Sequence, residues 1–168
     1  MKDTIAVCPG SFDPITLGHL DIITRASRLF SRVVVVVMRN DNKQPLFSLE
    51  DRLLMIQKVL DAYRLDNVVV DASDELLADY TKRIGANAIV KGLRAVTDFE
   101  YEFQMALTNK KLNPNADTMF LTTSAENMYL SSSLVKLLAA KNGDIHEFVP
   151  PVIHNDIVKK FTRKDEQI

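Results

Sequence analysis

The residues best suited to chemistry stand where short apolar runs of the chain end. Ser11 lies in a loop with two prolines, and the loop closes with Gly18 and His19 at the start of a helical segment. Free N–H groups and the dipole of a helix N-terminus attract anions, and histidine can donate a hydrogen bond to a phosphate oxygen in either charge state. The loop therefore predicts an anion site; the alternative is a turn that only joins a strand to a helix.

Positively charged residues follow the later apolar runs. They are Lys43 on a polar loop, Lys91 and Arg94 on either side of a glycine, and Lys136 one turn after the serine triplet 131–133. Serine hydroxyls and N–H groups at a helix start can cradle an anion, although a serine there also serves as a simple N-cap. Because the carboxyl ends of parallel strands meet at one edge of a sheet, we expect one site for several phosphates.

Strands and helices alternate along the chain, and the strands must position these residues. Apolar runs predict five strands, at 5–8 (ended by Pro9 and Gly10), 33–38, 68–70, 88–90 and 119–121. Apolar residues at helical spacing predict helices from near 18, and over 48–60, 75–84, 98–112, 132–140 and from 151. The run 33–38 is apolar throughout, which is typical of a parallel strand covered on both faces. We therefore predict an α/β fold with a doubly wound, five-stranded parallel sheet.

Composition narrows the class of protein. The 168 residues predict one domain, 1–168, with a polar tail at about 162–168 that we expect to fray. With 21 basic and 22 acidic residues the net charge is −1, which argues against a general nucleic-acid or membrane-surface binder. The single cysteine, Cys8, excludes an internal disulfide. No secretory signal pattern is present, and no apolar run approaches the roughly 18 residues that span a bilayer, so we expect a cytoplasmic protein.

Several common kinds of binding site are excluded because their sequence motifs are absent. The chain has no G-x-x-x-x-G-K-[ST], and its five glycines cannot form G-x-G-x-x-G. These absences argue against P-loop hydrolases and nicotinamide-dependent dehydrogenases. His146 and His154 are not paired at the usual spacing of metal ligands, and we expect them to be surface groups.

Four motifs resemble those of a known family. They are Gly10-Ser11-Phe12-Asp13-Pro14 with Thr16-Leu17-Gly18-His19, then Lys91-Gly92-Leu93-Arg94, Asp98-Phe99-Glu100-Tyr101-Glu102 and Ser131-Ser132-Ser133-Leu134-Val135-Lys136. The first resembles the (H/T)-x-G-H signature of the nucleotidyltransferase superfamily, and the set resembles the bacterial phosphopantetheine adenylyltransferases. The resemblance covers about residues 5–161 and implies a Rossmann-like nucleotidyltransferase fold.

The resemblance implies a reaction and its partners. ATP and 4′-phosphopantetheine would give 3′-dephospho-coenzyme A and pyrophosphate, with Mg²⁺ carried mainly on phosphate oxygens and not by protein ligands. The resemblance also implies a homohexamer and restraint by coenzyme A. His19 matches the histidine that stabilises the transition state, and Ser11, Lys43 and Arg94 complete the catalytic candidates.

The family's binding positions carry over residue by residue. The ATP side is matched by Ser11, Phe12, His19, Gly92, Leu93, Arg94, Glu102, Asn127, Met128, Tyr129, Leu130, Ser131, Ser132 and Ser133. The phosphopantetheine side is matched by Ser11, Lys43, Leu77 and Lys91. Lys91 stands where the family usually has arginine, which keeps the charge but loses the planar, bidentate fork.

Two other classes of function remain open from the sequence. Another small-molecule nucleotidyltransferase, acting on nicotinamide mononucleotide or on a sugar or polyol phosphate, shares the first motif but is not expected to share the later ones. A non-catalytic nucleotide-binding module also uses a helix N-terminus, but it has no need of His19. Pyrophosphate release with a panel of phosphorylated acceptors separates these alternatives.

Overall fold

Five parallel strands form one sheet in the computed structural model, which describes residues 3–39, 44–94 and 96–165. The strands are β1 (Ile5–Gly10), β2 (Arg32–Met38), β3 (Val68–Ser73), β4 (Ala88–Leu93) and β5 (Asp117–Thr122). Their order in the sheet is β3-β2-β1-β4-β5, with β1 at the centre. The chain therefore moves outward from β1 to one edge and then returns to fill the other side, as predicted.

Helices cover both faces of this sheet. They are α1 (Leu17–Leu29), α2 (Leu49–Ala62), α3 (Leu77–Arg83), α4 (Val96–Leu112), α5 (Ser132–Ala140) and α6 (Pro151–Asp165). Side chains of α1, α2, α5 and α6 share one hydrophobic cluster, whereas Tyr80 of α3 belongs to a second cluster. The two clusters take alternate residues of β2, whose Val33 to Val37 are all buried. The doubly wound architecture and the two-sided burial of β2 are confirmed.

The central strand separates from one neighbour near its end. β1 pairs with β2 from Ile5 to Gly10, but its pairing with β4 stops at Val7. The prediction that Pro9 ends the strand is wrong, and the reason is its orientation. Ile5 exchanges hydrogen bonds with Asn87 on the β4 side, and alternation places Pro9 on that same side, where the ladder has ended. Its missing N–H therefore costs no sheet hydrogen bond.

The fourth strand is longer than predicted. Lys91, Gly92 and Leu93 belong to β4, because its pairing with β5 continues to Leu93 opposite Thr122. Lys91 and Gly92 are therefore held by the sheet. Of the four residues in the motif 91–94, only Arg94 follows the strand.

The last helix covers part of the predicted tail. α6 continues to Asp165, and residues 166–168 lie outside the described part of the chain. Within the described residues, no helix combines the length and the apolar character that a membrane crossing requires.

Candidate active site

A large pocket opens where β1 and β4 separate. Its volume is about 1390 Å³, more than one drug-sized ligand usually occupies, so two substrates can lie in it together. The sequence-predicted residues that line it are Ser11, Phe12, His19, Lys91, Gly92, Arg94, Glu102, Asn127, Leu130, Ser131, Ser132, Ser133 and Lys136. The structure thus brings residues that follow β1 together with residues of β4, α4, α5 and the segment before α5.

Some predicted residues lie elsewhere. Leu93, Met128 and Tyr129 are not among the described residues that line this pocket, and Met128 and Tyr129 are exposed. Leu77 lines a smaller cavity that shares Lys91 and Glu102 with the main pocket. Lys43 falls outside the described residues, so its role stays a prediction.

His19 is held by a capping box at the start of α1. Thr16 is the N-cap: its side chain accepts from the His19 N–H, and the Thr16 N–H donates to His19 Nδ1 at 3.0 Å. A ring nitrogen that accepts an N–H carries no proton, so the neutral imidazole has its proton on Nε2. The rings of Phe12 and His19 pack edge to face, with centroids 5.1 Å apart. The local sequence therefore presents His19 as an Nε2–H donor.

The charge state of His19 follows from its surroundings. Burial in the pocket wall, and to a smaller extent the positive charges of Arg94 and Lys91, lower the pKa of His19 to about 4. The imidazole is therefore neutral at physiological pH, and it remains a donor through Nε2. Both cations lie close enough to act electrostatically on the same side chain.

Asp13 connects three parts of the pocket. Its buried carboxylate accepts hydrogen bonds from the backbone N–H groups of Leu46 and Phe47 at 2.9 to 3.1 Å. The same carboxylate pairs with Lys136 Nζ of α5 at 2.6 Å. Asp13 thus fixes the loop after β1 against the chain before α2 and against α5. The Lys136 ammonium, predicted as part of the phosphate site, is committed to Asp13 in this structure.

Arg52 supports the same loop from α2. Its side chain is buried, and it donates from Nη1 to the Ser11 carbonyl at 2.9 Å and from Nε to the Ser48 carbonyl at 3.3 Å. A guanidinium is suited to this task because it offers several donors in a fixed plane. The backbone that carries Ser11 is therefore held in place by a charged donor.

The opposite side of the pocket is held less tightly. Lys91 Nζ of β4 pairs with Glu102 of α4 at 3.1 Å, and the two side chains are 27% and 20% exposed. Because these groups are wetter than Asp13, the pair can open at a smaller cost when an anionic ligand arrives. Lys91 is thus available to a phosphate.

The serine triplet has a structural role and faces the pocket as well. Ser131 is the N-cap of α5 and accepts from the Leu134 N–H, and the Ser132 hydroxyl donates to the Pro14 carbonyl at 2.8 Å. Arg94 donates to the Leu130 carbonyl at 3.0 Å. The start of α5 is therefore attached to the loop after β1 and to the end of β4.

The sequence alone does not single out three residues that organise this site. Thr16 had a usable signal, because Thr-x-x-His at a helix start follows the spacing of a capping box. Asp13 lies inside a quoted motif, but nothing in the sequence assigns it to Lys136. Arg52 gave no signal, since its contact with Ser11 depends on how α2 packs in three dimensions.

Known proteins resemble this chain over most of its length. Residues 7–137 match the family model described as Cytidylyltransferase-like. A phosphopantetheine adenylyltransferase of Caldanaerobacter subterraneus subsp. tengcongensis is 50% identical over 159 residues, which cover 95% of this chain and 98% of that protein. One of Alkaliphilus oremlandii is 52% identical over 157 residues, which cover 94% and 99%. The chain belongs to the phosphopantetheine adenylyltransferase family. The resemblance inferred from the motifs is confirmed.

Solved structures show that the fold of this phosphopantetheine adenylyltransferase family member is shared more widely. A nicotinic acid mononucleotide adenylyltransferase of Plasmodium falciparum, complexed with NaAD, aligns with a TM-score of 0.69 over 97% of this chain and 96% of that chain, at 16% identity. A putative nicotinate-nucleotide adenylyltransferase of Vibrio parahaemolyticus aligns with a TM-score of 0.68 over 94% and 96%, at 18% identity. At such identities the likeness establishes the Rossmann-like nucleotidyltransferase fold alone.

Proposed function

We propose that this protein transfers the adenylyl group of ATP to 4′-phosphopantetheine, giving 3′-dephospho-coenzyme A and pyrophosphate. The observation that carries the proposal is the fixed tautomer of His19, which offers an Nε2–H beside Lys91 and Arg94 in a pocket wide enough for two substrates. Family membership over nearly the whole chain supports the same substrates.

The reaction needs positioning more than proton transfer. An oxygen of the phosphopantetheine phosphate forms a bond to the α-phosphorus as the bond to the bridging oxygen breaks and pyrophosphate leaves. The second pKa of a phosphate monoester is about 6, so the nucleophile is already largely a dianion at neutral pH. The protein therefore needs no general base, and its task is to align two anions and stabilise the charge that develops.

Each side of the pocket has a part in this scheme. The His19 Nε2–H donates to an α-phosphate oxygen, with Ser11 on the loop that precedes α1. Lys91 and the predicted Lys43 hold the attacking phosphate. Arg94 and the start of α5, with its serine triplet 131–133, take the β- and γ-phosphates. Lys91 exchanges its Glu102 partner for the incoming phosphate.

The donor set of the pocket agrees with the proposed Mg²⁺. Of the three carboxylates among the described residues that line the pocket, those of Asp13 and Glu102 already pair with Lys136 and Lys91, and the third is that of Asp74. With so few acidic groups at hand, the phosphate oxygens would supply most of the ligands. Mg²⁺ retains several waters and needs few protein ligands, and when bound it lowers the negative charge of the triphosphate. The protein side chains then orient the phosphates.

We also propose a homohexamer in the cytoplasm that coenzyme A restrains. Support for assembly comes from α4, where Tyr101, Phe103, Leu107 and Leu112 are large, apolar and exposed, a pattern typical of a covered surface. Coenzyme A joins an adenine nucleotide to a pantetheine arm, so it can occupy both halves of the pocket. Light scattering measures the assembly, and competition against each substrate measures the restraint.

The function is tested by product identification. The protein is incubated with ATP, MgCl₂ and 4′-phosphopantetheine, and 3′-dephospho-coenzyme A is detected by mass spectrometry together with pyrophosphate. Parallel reactions contain nicotinic acid mononucleotide or a sugar phosphate as the acceptor, or omit MgCl₂. We expect product only with phosphopantetheine and metal. Pyrophosphate release with another acceptor alone, or ATP binding without release for every acceptor, contradicts the proposal.

A further inference from the structure

Two histidines outside the active site lie against each other. His146 is exposed and His154 is partly exposed, as expected of surface groups. The prediction that the two are not paired is wrong, because their rings stack with centroids 3.7 Å apart and planes inclined by 21°. His146 belongs to the connection between α5 and α6, and His154 stands in the first turn of α6. The connection folds back over the start of the helix, which brings together residues that their spacing in the sequence does not pair.

A carboxylate fixes one of these rings. Asp144 Oδ1 accepts from the backbone N–H of His146 at 2.9 Å and contacts His146 Nδ1 at 2.6 Å. An ionised carboxylate only accepts, so the proton of the contact belongs to Nδ1, and the Nε2 lone pair of the neutral ring is left to bind a cation. A carboxylate that orients a histidine in this way is the usual outer partner of a metal-binding imidazole.

The three side chains lie close to the spacing that a small cation requires. One potential ligand atom from each of Asp144, His146 and His154 lies within 4.8 Å of the other two. Ligands at about 2.0–2.1 Å in a tetrahedral zinc site lie roughly 3.4 Å apart, so side-chain rotations alone can close the remaining gap. Asp144 and His146 are well exposed, which lets an ion enter with its waters.

We propose that His146 and His154 bind a divalent transition-metal ion of the class of Zn²⁺ and Ni²⁺, with Asp144 orienting His146. Imidazole ligands favour these ions, whereas Mg²⁺ prefers oxygen ligands. The site is therefore distinct in chemistry from the Mg²⁺ that accompanies ATP. Water completes the coordination.

The position of the site gives the ion a structural effect. The segment 144–154 contains Phe148, whose carbonyl accepts the N–H of Leu17 at 3.0 Å. Leu17 is the first residue of α1, two positions before His19. An ion held between the two histidines closes the segment that packs on the start of α1, and it stabilises the folded protein because the unfolded chain does not present the same site.

The test is metal binding by tag-free protein that has first been stripped with EDTA. Titration calorimetry with ZnCl₂ and with NiCl₂ is expected to give one ion per chain. His146→Ala and His154→Ala should each weaken binding at least ~10-fold, and Asp144→Asn about 10-fold, the low end of the effect of an outer partner. At a hundredfold excess over Kd, the melting temperature of the unsubstituted protein should rise by about 5–10 °C.

Glu147→Gln is the matched control, because it removes one negative charge beside the site without removing a member of it. This variant should bind as the unsubstituted protein does. Binding that survives both histidine substitutions, or that weakens as much in Glu147→Gln as in Asp144→Asn, overturns the proposal. Melting curves in EDTA show that each variant is folded, so a lost metal response cannot come from unfolding. The outcome is independent of the adenylyl-transfer assay.

Discussion

The two sides of the active-site pocket hold their lysines in different ways. On the side of α5, Lys136 pairs with Asp13, whose side chain is 7% exposed and also accepts two backbone N–H groups. On the side of β4, Lys91 pairs with Glu102, and both are partly exposed. We call these the α5 side and the β4 side. A lysine ammonium thus pairs with a buried carboxylate that has further hydrogen bonds on the α5 side, and with a more exposed carboxylate on the β4 side.

The difference separates a lysine that shapes the pocket from one that can serve a substrate. Removing Lys136 leaves a buried carboxylate without its cation, and such a loss is costly. Removing Lys91 leaves Glu102 able to reach water, so this partly exposed pair should contribute less to stability than the pair of Asp13 and Lys136. A positive side chain at the pocket is therefore evidence for phosphate binding only after its carboxylate partner has been considered.

The largest expected effect is on stability at the α5 side. Lys136→Met keeps most of the side-chain volume and removes the charge, so it should lower the free energy of unfolding by about 3 kcal/mol. Lys91→Met is the matched substitution and should lower it by about 1 kcal/mol or less. Urea unfolding of both variants measures the difference. Equal losses would remove the distinction between the two sides.

A second large effect is expected in catalysis, at His19 between the two sides. His19→Ala should lower turnover at least ~10²-fold, the scale of one donor to a developing negative charge, or about 2.7 kcal/mol of activation free energy. ATP binding by calorimetry should stay close to that of the unsubstituted protein, because Arg94 and the start of α5 remain. Near-normal turnover would contradict the proposed role of His19. Catalysis would then depend only on how the two sides of the pocket position the substrates.

The architecture was accessible from the sequence because apolar periodicity records burial. Val33 to Val37 are buried on both faces of β2, and the continuous apolar run in the sequence predicted this burial. The ends of strands were less accessible, because they depend on neighbours that are distant in sequence. Pro9 remains in β1 only because β4 has already turned away, and Lys91 remains in β4 only because β5 continues beside it.

The sequence predicts many of the residues that line the pocket, but it does not predict which of them pair with each other. The motifs predicted that His19, Lys91 and Arg94 face one pocket, and the three residues do line it, although Lys91 lies within β4 and not after it. They could not predict that Asp13 takes Lys136, because the two are 123 residues apart. The stacking of His146 on His154 could not be predicted for a related reason. The loop between them folds back, and such a turn produces no periodic pattern in the sequence.

A moderate effect is expected where β4 packs against α1. A Cβ at Gly92 would lie 2.8 Å from Ile22 Cγ1, and Ile22 is buried, so Gly92→Ala should destabilise the protein by about 1–3 kcal/mol through overpacking. Gly18→Ala is the control, because its Cβ would have no neighbour nearer than 3.7 Å. Thermal unfolding of both variants tests the prediction. If Gly92→Ala melts like Gly18→Ala, the β4 side is looser than its packing indicates.

The smallest expected effect is the pH dependence that His19 gives to stability. The pKa of His19 is lowered to about 4 in the folded protein from 6.5. Between these two values the unfolded chain binds a proton that the folded chain does not, so stability rises with pH across this window and is lost as the pH falls from 6.5 towards 4. The expected loss is about 1–2 kcal/mol, which is less than 1.36 kcal/mol for each pH unit of this window, because the side chain of His19 is partly exposed.

His19→Asn isolates this contribution from that of the carboxylates, which also titrate in acid. The asparagine oxygen can accept the Thr16 N–H in place of Nδ1, but the side chain has no proton to gain. The free energy of unfolding, measured by urea at pH 7 and at pH 4.5, should therefore fall less steeply in the variant. Parallel curves for the two proteins would mean that His19 takes up its proton equally in both states. Burial and the positive charges of Arg94 and Lys91 would then not control the charge of His19. The two sides of the pocket would affect the substrates but not the protonation of His19.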